Sequence, residues 1–255
     1  MDPAPAIGIA GGFVVVVGVN VMEGGNPMAL LAPPALILIF VTSILVTIAG
    51  GTMADAKMAG KSLARAFTGG VAPASDLVPT VVSLAEKARK EGLLALEDSA
   101  KSVEDPFLLR GITMAIDGTD PEELRDILES EVYAKRGADK QAAKFWADCG
   151  AYAPTIGIIG TVMGLVHVLE NLSNPGKLGH LIAAAFIATL WGITSANVIF
   201  LPLGNRLKRL SELECGRMEI SIEGIAAIQA GSNPRIVAQK LRALLADGGT
   251  EAEAA

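Results

Sequence analysis

Two threonines lie where their hydroxyl groups could serve as cation ligands. Thr161 and Thr189 are each near the middle of a long apolar run. If the two runs form an antiparallel hairpin, the hydroxyls lie at a similar depth, beside backbone carbonyls that nearby prolines have loosened. Such oxygens are the ligands that hard cations prefer. The alternative is ordinary helix packing, in which a threonine hydroxyl donates to the carbonyl four residues earlier.

Prolines and glycines accompany these threonines in the same two runs. Pro154 and Pro202 lie near the cytoplasmic ends expected for the runs, where each predicts a kink or hinge. The alternative is that they are prolines tolerated at the end of a span. Gly160 and Gly164 form a Gly-x-x-x-Gly pair, a spacing that lets a second helix approach closely in lipid.

Acidic residues are missing from the middle of every apolar run. A proton relay within one chain would need such a residue, but Asp148 and Glu170 lie only at the ends of a run. His167 and His180 are better explained as interfacial or packing residues. If a cation crosses here, its carboxylate must come from a partner chain. The sequence shows no nucleophile–base pair, phosphate loop or metal cluster that would indicate an enzyme.

The composition indicates a membrane protein. The chain has 255 residues, of which 51% are hydrophobic and 19% charged, and its mean hydropathy is +0.46. A soluble domain of this length carries more charge. The net charge of −6 gives no support to nucleic-acid binding. Four apolar runs, at about 6–22, 31–50, 147–172 and 178–204, are each close to the length that crosses a bilayer.

Basic residues predict the orientation of these runs. Thirteen Lys or Arg lie between 52 and 146 and seven follow 204, whereas the two short hairpin loops contain only Lys177. Cytoplasmic loops carry the excess of basic residues. Both large segments and both termini are therefore expected in the cytoplasm, in a multi-pass protein of the inner membrane.

The predicted fold is an all-α membrane protein with four transmembrane helices in two hairpins. The outer hairpin occupies 1–51, a helical cytoplasmic domain 52–146, the inner hairpin 147–204, and a C-terminal helix and tail 205–255. The third and fourth helices are expected to continue well into the cytoplasm, and residues from 247 onwards to be disordered.

Capping signals place the cytoplasmic helices. Gly92 is expected to end a helix that begins near Asp76. Asp105-Pro106 and Asp120-Pro121 each combine an N-cap residue with proline at the first helical position. No strong helix breaker follows Pro121 before the third apolar run, which predicts one long helix entering that run.

A compact charged group surrounds Gly92, with Arg89 and Lys90 on one side and Glu97 and Asp98 on the other. The ordinary explanation is a solvated face, and the group contains no metal-binding or catalytic arrangement.

Three stretches together resemble the stator A subunit of the flagellar motor, the MotA and PomA family. Residues 153–165 (Ala-Pro-Thr-Ile-Gly-Ile-Ile-Gly-Thr-Val-Met-Gly-Leu) resemble its third-span signature. Residues 200–208 are similar to the end of its fourth span, and 86–98 to its rotor-facing motif. The matches occur in the expected order and, with the four-span pattern, cover nearly the whole chain.

The resemblance implies an ion channel that generates torque, with no cofactor other than the transported Na⁺ or H⁺. Five A subunits would surround two B subunits of the MotB or PomB type, whose single spans carry the ion-binding aspartate. Ion flow would turn this ring against the rotor protein FliG. The small-residue faces would then pack against other subunits of the ring.

The resemblance also implies roles for individual residues. The charged residues that would contact the rotor are Arg89, Lys90, Glu97 and Asp98. Pro154 and Pro202 match the prolines that couple ion passage to movement, and Thr161 and Thr189 match pore-lining positions. Threonine at the Thr161 position is typical of sodium-type members, whereas Ala188-Thr189 is closer to the proton pattern. The prediction leans to sodium.

Two other functions compete with a stator. One is an energiser of cell-envelope transport of the ExbB and TolQ type, against which the four predicted spans argue. The other is a membrane scaffold without motor activity, for which the charged group around Gly92 would have no role.

Overall fold

Helices account for all the regular secondary structure in residues 2–253, the part of the chain that the computed structural model describes. The all-α prediction is confirmed. Eleven α-helices follow one another within these residues: α1 (Ala4–Met22), α2 (Pro27–Leu30), α3 (Pro33–Ala49), α4 (Met53–Thr68), α5 (Leu77–Glu91), α6 (Glu97–Ala100), α7 (Pro106–Ile116), α8 (Pro121–Glu170), α9 (Pro175–Thr194), α10 (Leu201–Gln229) and α11 (Pro234–Glu253).

Several helices are apolar enough to cross a membrane. Among the described residues, α1, α8 and the continuous stretch Pro175–Gln229 are also long enough. The apolar helix α3 has 17 residues, which span about 26 Å at the usual rise, a little less than the hydrocarbon layer of about 30 Å. The chain therefore has the apolar helices of a multi-pass membrane protein.

The third and fourth apolar runs belong to very long helices. α8 is 50 residues long and includes Pro154, so the predicted long helix starting at Pro121 is confirmed. After α9 the chain makes one π-helical turn, Ser195–Phe200, and continues directly into α10. At the C-terminus, α11 continues to Glu253. The disorder predicted from 247 onwards stays a prediction, and Ala254–Ala255 lie outside the described residues.

Helix α4 was not anticipated from the sequence. Its N-terminus is a complete capping box, in which the Thr52 hydroxyl accepts from the Asp55 backbone N–H and the Asp55 carboxylate accepts from the Thr52 backbone N–H. Farther along the helix, Arg65 donates to both carboxylate oxygens of Asp139 on α8, at 2.5 and 3.2 Å. A local signal in the sequence, Thr-x-x-Asp, marks the start of this helix.

Two compact units make up the described chain. The first contains Met1–Gly70 and Asp139–Leu210, and the second contains Val71–Ala138 and Ser211–Ala255. The core of the first is aromatic, with Phe40, Trp146 and Phe200 in ring contact. The core of the second is mainly aliphatic and includes these fully buried side chains: Leu96, Leu108, Ile112, Leu128, Ile225 and Leu241.

The N-terminal caps in the second unit follow the sequence signals. The Asp105 carboxylate accepts from the backbone N–H groups of Phe107 and Leu108, so α7 begins at Pro106 as predicted. Gly92 ends α5 with φ +85°, a left-handed conformation that glycine adopts without strain. This turn connects the two halves of the charged group.

Candidate functional site

Helices α8 and α9 are in backbone contact because both carry glycine where they meet. A Cβ on Gly164 would lie 2.5 Å from Ala185 Cβ, and one on Gly160 would lie 2.7 Å from Ala188 Cβ. A Cβ on Gly192 would lie 2.8 Å from the Ala153 carbonyl oxygen. The glycine spacing therefore does permit close helix approach, but the partner is α9 of the same chain. The expectation that these glycines face other subunits is wrong, because α9 already fills that space.

This close approach brings the two threonine side chains together. The Oγ1 atoms of Thr161 and Thr189 are in direct hydrogen-bond contact. Thr161 Oγ1 also lies 3.1 Å from the Ala185 carbonyl oxygen and 3.2 Å from the Gly157 carbonyl oxygen. Thr189 Oγ1 lies 3.4 Å from the same Gly157 oxygen. Four oxygens thus form one cluster, and both threonines are half-buried.

The cluster has spare acceptor capacity. Two hydroxyl hydrogens are available, since a threonine hydroxyl is one donor with two lone pairs. One hydrogen lies between Thr161 and Thr189, and the other is donated to the carbonyl of Gly157 or Ala185. Each hydroxyl oxygen therefore keeps at least one lone pair for another ligand. Neutral oxygens of this kind can bind a hard cation whose charge is balanced by a carboxylate outside the cluster.

The titratable residues near the apolar parts of these two helices lie outside the cluster. His167 Nδ1 lies 3.4 Å from Glu170 Oε2 on the exposed end of α8, and His180 is exposed near the start of α9. Asp148 pairs with Lys144, one turn earlier on α8. The structure brings none of them to the threonine cluster. Within the described residues, no group of three or more His, Cys, Asp or Glu is arranged for a metal ion.

The two prolines are not part of the threonine cluster, and they have different surroundings. Pro154 has no N–H, so the carbonyl of Gly150 lacks its usual helical donor. A Cβ on Gly150 would lie 2.8 Å from Leu201 Cγ, which places Leu201 against this part of α8, whereas Pro202 lines a groove beside α1. The irregular backbone of the fourth helix is the π-helical turn Ser195–Phe200, just before Pro202. No feature of the sequence predicts that turn.

The charged group forms an exposed turn, as the sequence predicts. Arg89 and Lys90 lie in the last turn of α5, Glu97 and Asp98 begin α6, and all four are exposed. Lys101 Nζ lies 2.8 Å from Asp98 Oδ1. This hydrogen bond and the charge of Lys101 hold the pKa of Asp98 below its ordinary value. Asp98 is therefore negatively charged throughout the neutral pH range.

Arg217 on α10 holds both ends of the segment that carries this turn. Its Nε donates to Asp105 Oδ2 at 2.8 Å, and its Nη1 donates to the carbonyls of Ala72 and Pro73, the latter at 2.8 Å. The Arg217 and Asp105 side chains are only 18% and 14% exposed. Sequence reasoning missed this residue, because its partners lie more than a hundred positions away.

Comparison with known proteins agrees with the helical architecture. The profile of the MotA/TolQ/ExbB proton channel family matches residues 99–220. Motility protein A of Bacillus subtilis is 36% identical over 94% of this chain and 90% of its own length. Chemotaxis protein PomA of Vibrio alginolyticus is 31% identical over 97% of each chain. A family of ion channels, rather than of enzymes, is indicated.

Two solved structures share the fold along nearly the whole chain. The C. jejuni MotAB structure superimposes with a TM-score of 0.91 at 29% identity and covers 96% of both chains. The flagellar MotAB stator complex of Bacillus subtilis gives a TM-score of 0.86 at 36% identity, with 94% of both chains covered. These motility relatives, together with the fold, favour a stator over an envelope energiser. The chain belongs to the motility protein A (MotA/PomA) family, the A subunits of the flagellar motor stator.

Proposed function

We propose that this stator subunit passes a cation along the threonine cluster, with Thr161 and Thr189 as its ligands. The observation that carries the proposal is the convergence of two hydroxyl oxygens and two backbone carbonyls between α8 and α9. The cluster holds no negative charge of its own. A B subunit of the MotB or PomB type supplies the missing carboxylate from its single span.

The proposed assembly is five copies of this chain around two B subunits in the inner membrane. α1, α3 and the apolar parts of α8 and α9 are the four spans, and both termini are cytoplasmic. Support comes from the exposed apolar residues of the paired helices, among them Ile158, Ile159 and Val162 on α8 and Phe186 and Ile193 on α9. Faces of this size need lipid or another chain to cover them.

The proposed ion is sodium. A proton that moves to a carboxylate needs no set of oxygen ligands, whereas a sodium ion that loses its water shell does. Swimming speed at fixed pH should therefore rise with external sodium. In Thr161→Ala, which removes one hydroxyl from the cluster, that dependence should weaken while the chain is still produced.

A matched control distinguishes the loss of an ion ligand from the general effect of replacing a threonine. Thr113 on α7 also donates its hydroxyl to the carbonyl four residues earlier, at 2.9 Å, but lies outside the cluster. Thr113→Ala should leave the sodium dependence unchanged. A swimming speed independent of sodium in the unmodified chain would remove the sodium assignment.

Pro154 and Pro202 are proposed to couple ion passage to movement. The support is that Pro154 removes a helical donor from α8 near its contact with Leu201, and that Pro202 follows Leu201 directly after a helical turn with irregular hydrogen bonding. Backbone of this kind is a common site of bending in long helices.

The exposed turn around Gly92 is proposed as the contact with the rotor protein FliG. Arg89→Ala and Glu97→Ala should each reduce swimming while the chain level in membranes stays normal, because neither side chain is buried. Electrostatic contacts of exposed charges act on association and register more than on folding. Arg110→Ala is the control, since its ion pair with Glu131 is also exposed. Normal swimming of both variants would rule out the turn as the rotor contact.

A further inference from the structure

A groove between α1 and the start of α10 shares no residue with the threonine cluster. It encloses about 400 Å³, which is within the size range of small-molecule sites. On one side lie Ala4, Gly8 and Gly12, and on the other Val198, Pro202 and Arg206. Residues 4–12 of α1 extend for about 12 Å. The groove is therefore long, narrow and apolar, with one cation at its end.

Glycine keeps the groove open. A Cβ on Gly8 would meet nothing within 4 Å, whereas a Cβ on Gly12 would lie 2.9 Å from Val198 Cγ1. The two helices thus touch at Gly12 and leave space beside Gly8, toward Arg206. This shape accepts a flexible hydrocarbon chain from the open end but has no room for a second helix at Gly12.

Arg206 already holds an oxyanion. Its Nη1 lies 2.8 Å from Asp2 Oδ2, and its Nη2 donates to the Gly69 carbonyl at 3.0 Å. Its Nε is buried without a hydrogen-bond partner among the described residues. The Asp2 side chain is 40% exposed and that of Arg206 17%, so solvent reaches the carboxylate side of the pair and screens it. Another anion can displace the carboxylate at small cost.

We propose that this groove binds one anionic phospholipid of the cytoplasmic leaflet, with its phosphate on Arg206 in place of Asp2 and an acyl chain beside Gly8. A guanidinium binds phosphate through paired N–H donors. Basic pockets at the cytoplasmic ends of spans are suited to anionic headgroups. The inference rests on the proposed orientation, which puts Arg206 at the inner surface.

The test measures lipid retained by the full chain, extracted in a mild detergent with the subunits it assembles with. The sample is exchanged against phosphatidylglycerol or phosphatidylcholine, washed, and its phospholipid content per chain is determined by mass spectrometry. The unmodified chain should retain phosphatidylglycerol preferentially. Arg206→Gln should lower that retention about fivefold, the effect of one basic residue at an anionic surface. Arg209→Gln, at the same end of the helix, should not.

Two further variants test the groove itself. Gly8→Leu fills the open space without meeting a neighbour, so it should lower retention and leave the assembly intact. Asp2→Asn should raise retention, since the competing carboxylate is lost. Equal retention of both lipids, or no change in Gly8→Leu, would overturn the proposal. So would a change of oligomer size in Gly8→Leu, because that would mean a neighbouring copy occupies the groove. This experiment measures lipid retention and not swimming. A negative result would therefore contradict the lipid site without contradicting the proposed ion pathway.

Discussion

Gly192→Val is expected to abolish swimming and to lower the amount of folded chain. A Cβ at this position would lie 2.8 Å from the Ala153 carbonyl oxygen and 3.0 Å from Gly157 Cα. Both are backbone atoms of α8, so neither can move aside unless the whole helix moves. Overpacking usually costs about 1–3 kcal/mol, and the separation of α8 from α9 would also draw Thr161 away from Thr189.

The measurement combines swimming, the chain level in membranes and the midpoint of thermal unfolding in detergent. Gly179→Val is the matched control, because Gly179 lies on the same helix and a Cβ there would meet nothing within 4 Å. The control should swim normally. Normal unfolding and swimming of Gly192→Val would contradict the backbone contact between α8 and α9.

Arg217→Ala is expected to destabilise the unit that carries the exposed turn by about 1.5–3 kcal/mol, the usual contribution of a hydrogen bond to a charged group. The Asp105 carboxylate would remain largely buried without its partner. The carbonyls of Ala72 and Pro73 would lose their donors as well. Because these groups lie at both ends of the segment with Arg89 and Glu97, swimming should fall even though none of the charges proposed to contact the rotor has changed.

Hydrogen exchange of the full chain measures this directly. In Arg217→Ala, amides of residues 72–105 should exchange faster, while those of α1 keep their rates. Arg136→Ala is the control, since its pair with Glu219 is about half exposed on both sides and worth at most about 1 kcal/mol. Unchanged exchange in 72–105 would show that Arg217 does not hold the segment.

Local chemistry explains which features the sequence could predict. Proline and aspartate determine where α7 and α8 begin, and glycine determines where α5 ends, so these boundaries need only a few adjacent residues. The placement of charges around Gly92 follows from the same local signals. The sequence also predicts that Thr161 and Thr189 lie at a similar depth, because an antiparallel hairpin with a short connection leaves little freedom in register.

Long-range contacts account for what the sequence could not predict. Gly160 and Gly164 pack against α9 of the same chain and not against another subunit. The spacing of small residues shows that some helix can approach closely, but it does not identify that helix. In the sequence, Arg217 is one of several charged residues on a polar helix. Its partners, Asp105 and the carbonyls of Ala72 and Pro73, are known only from the structure. The π-helical turn Ser195–Phe200 contains no proline or glycine that would have marked it in the sequence.

The π-helical turn also determines which way the helix below it faces. A turn of this kind holds one residue more than an α-helical turn, and each residue of an α-helix advances the direction of its side chain by about 100°. Relative to an uninterrupted helix, Pro202 and Arg206 therefore point about a quarter-turn away from where α9 alone would aim them. Deleting one residue from Ser195–Phe200 would straighten the hydrogen bonding and turn both side chains off the α1 face. The additional residue therefore sets the angle between the part of the fourth helix that carries Thr189 and the part that carries Pro202 and Arg206.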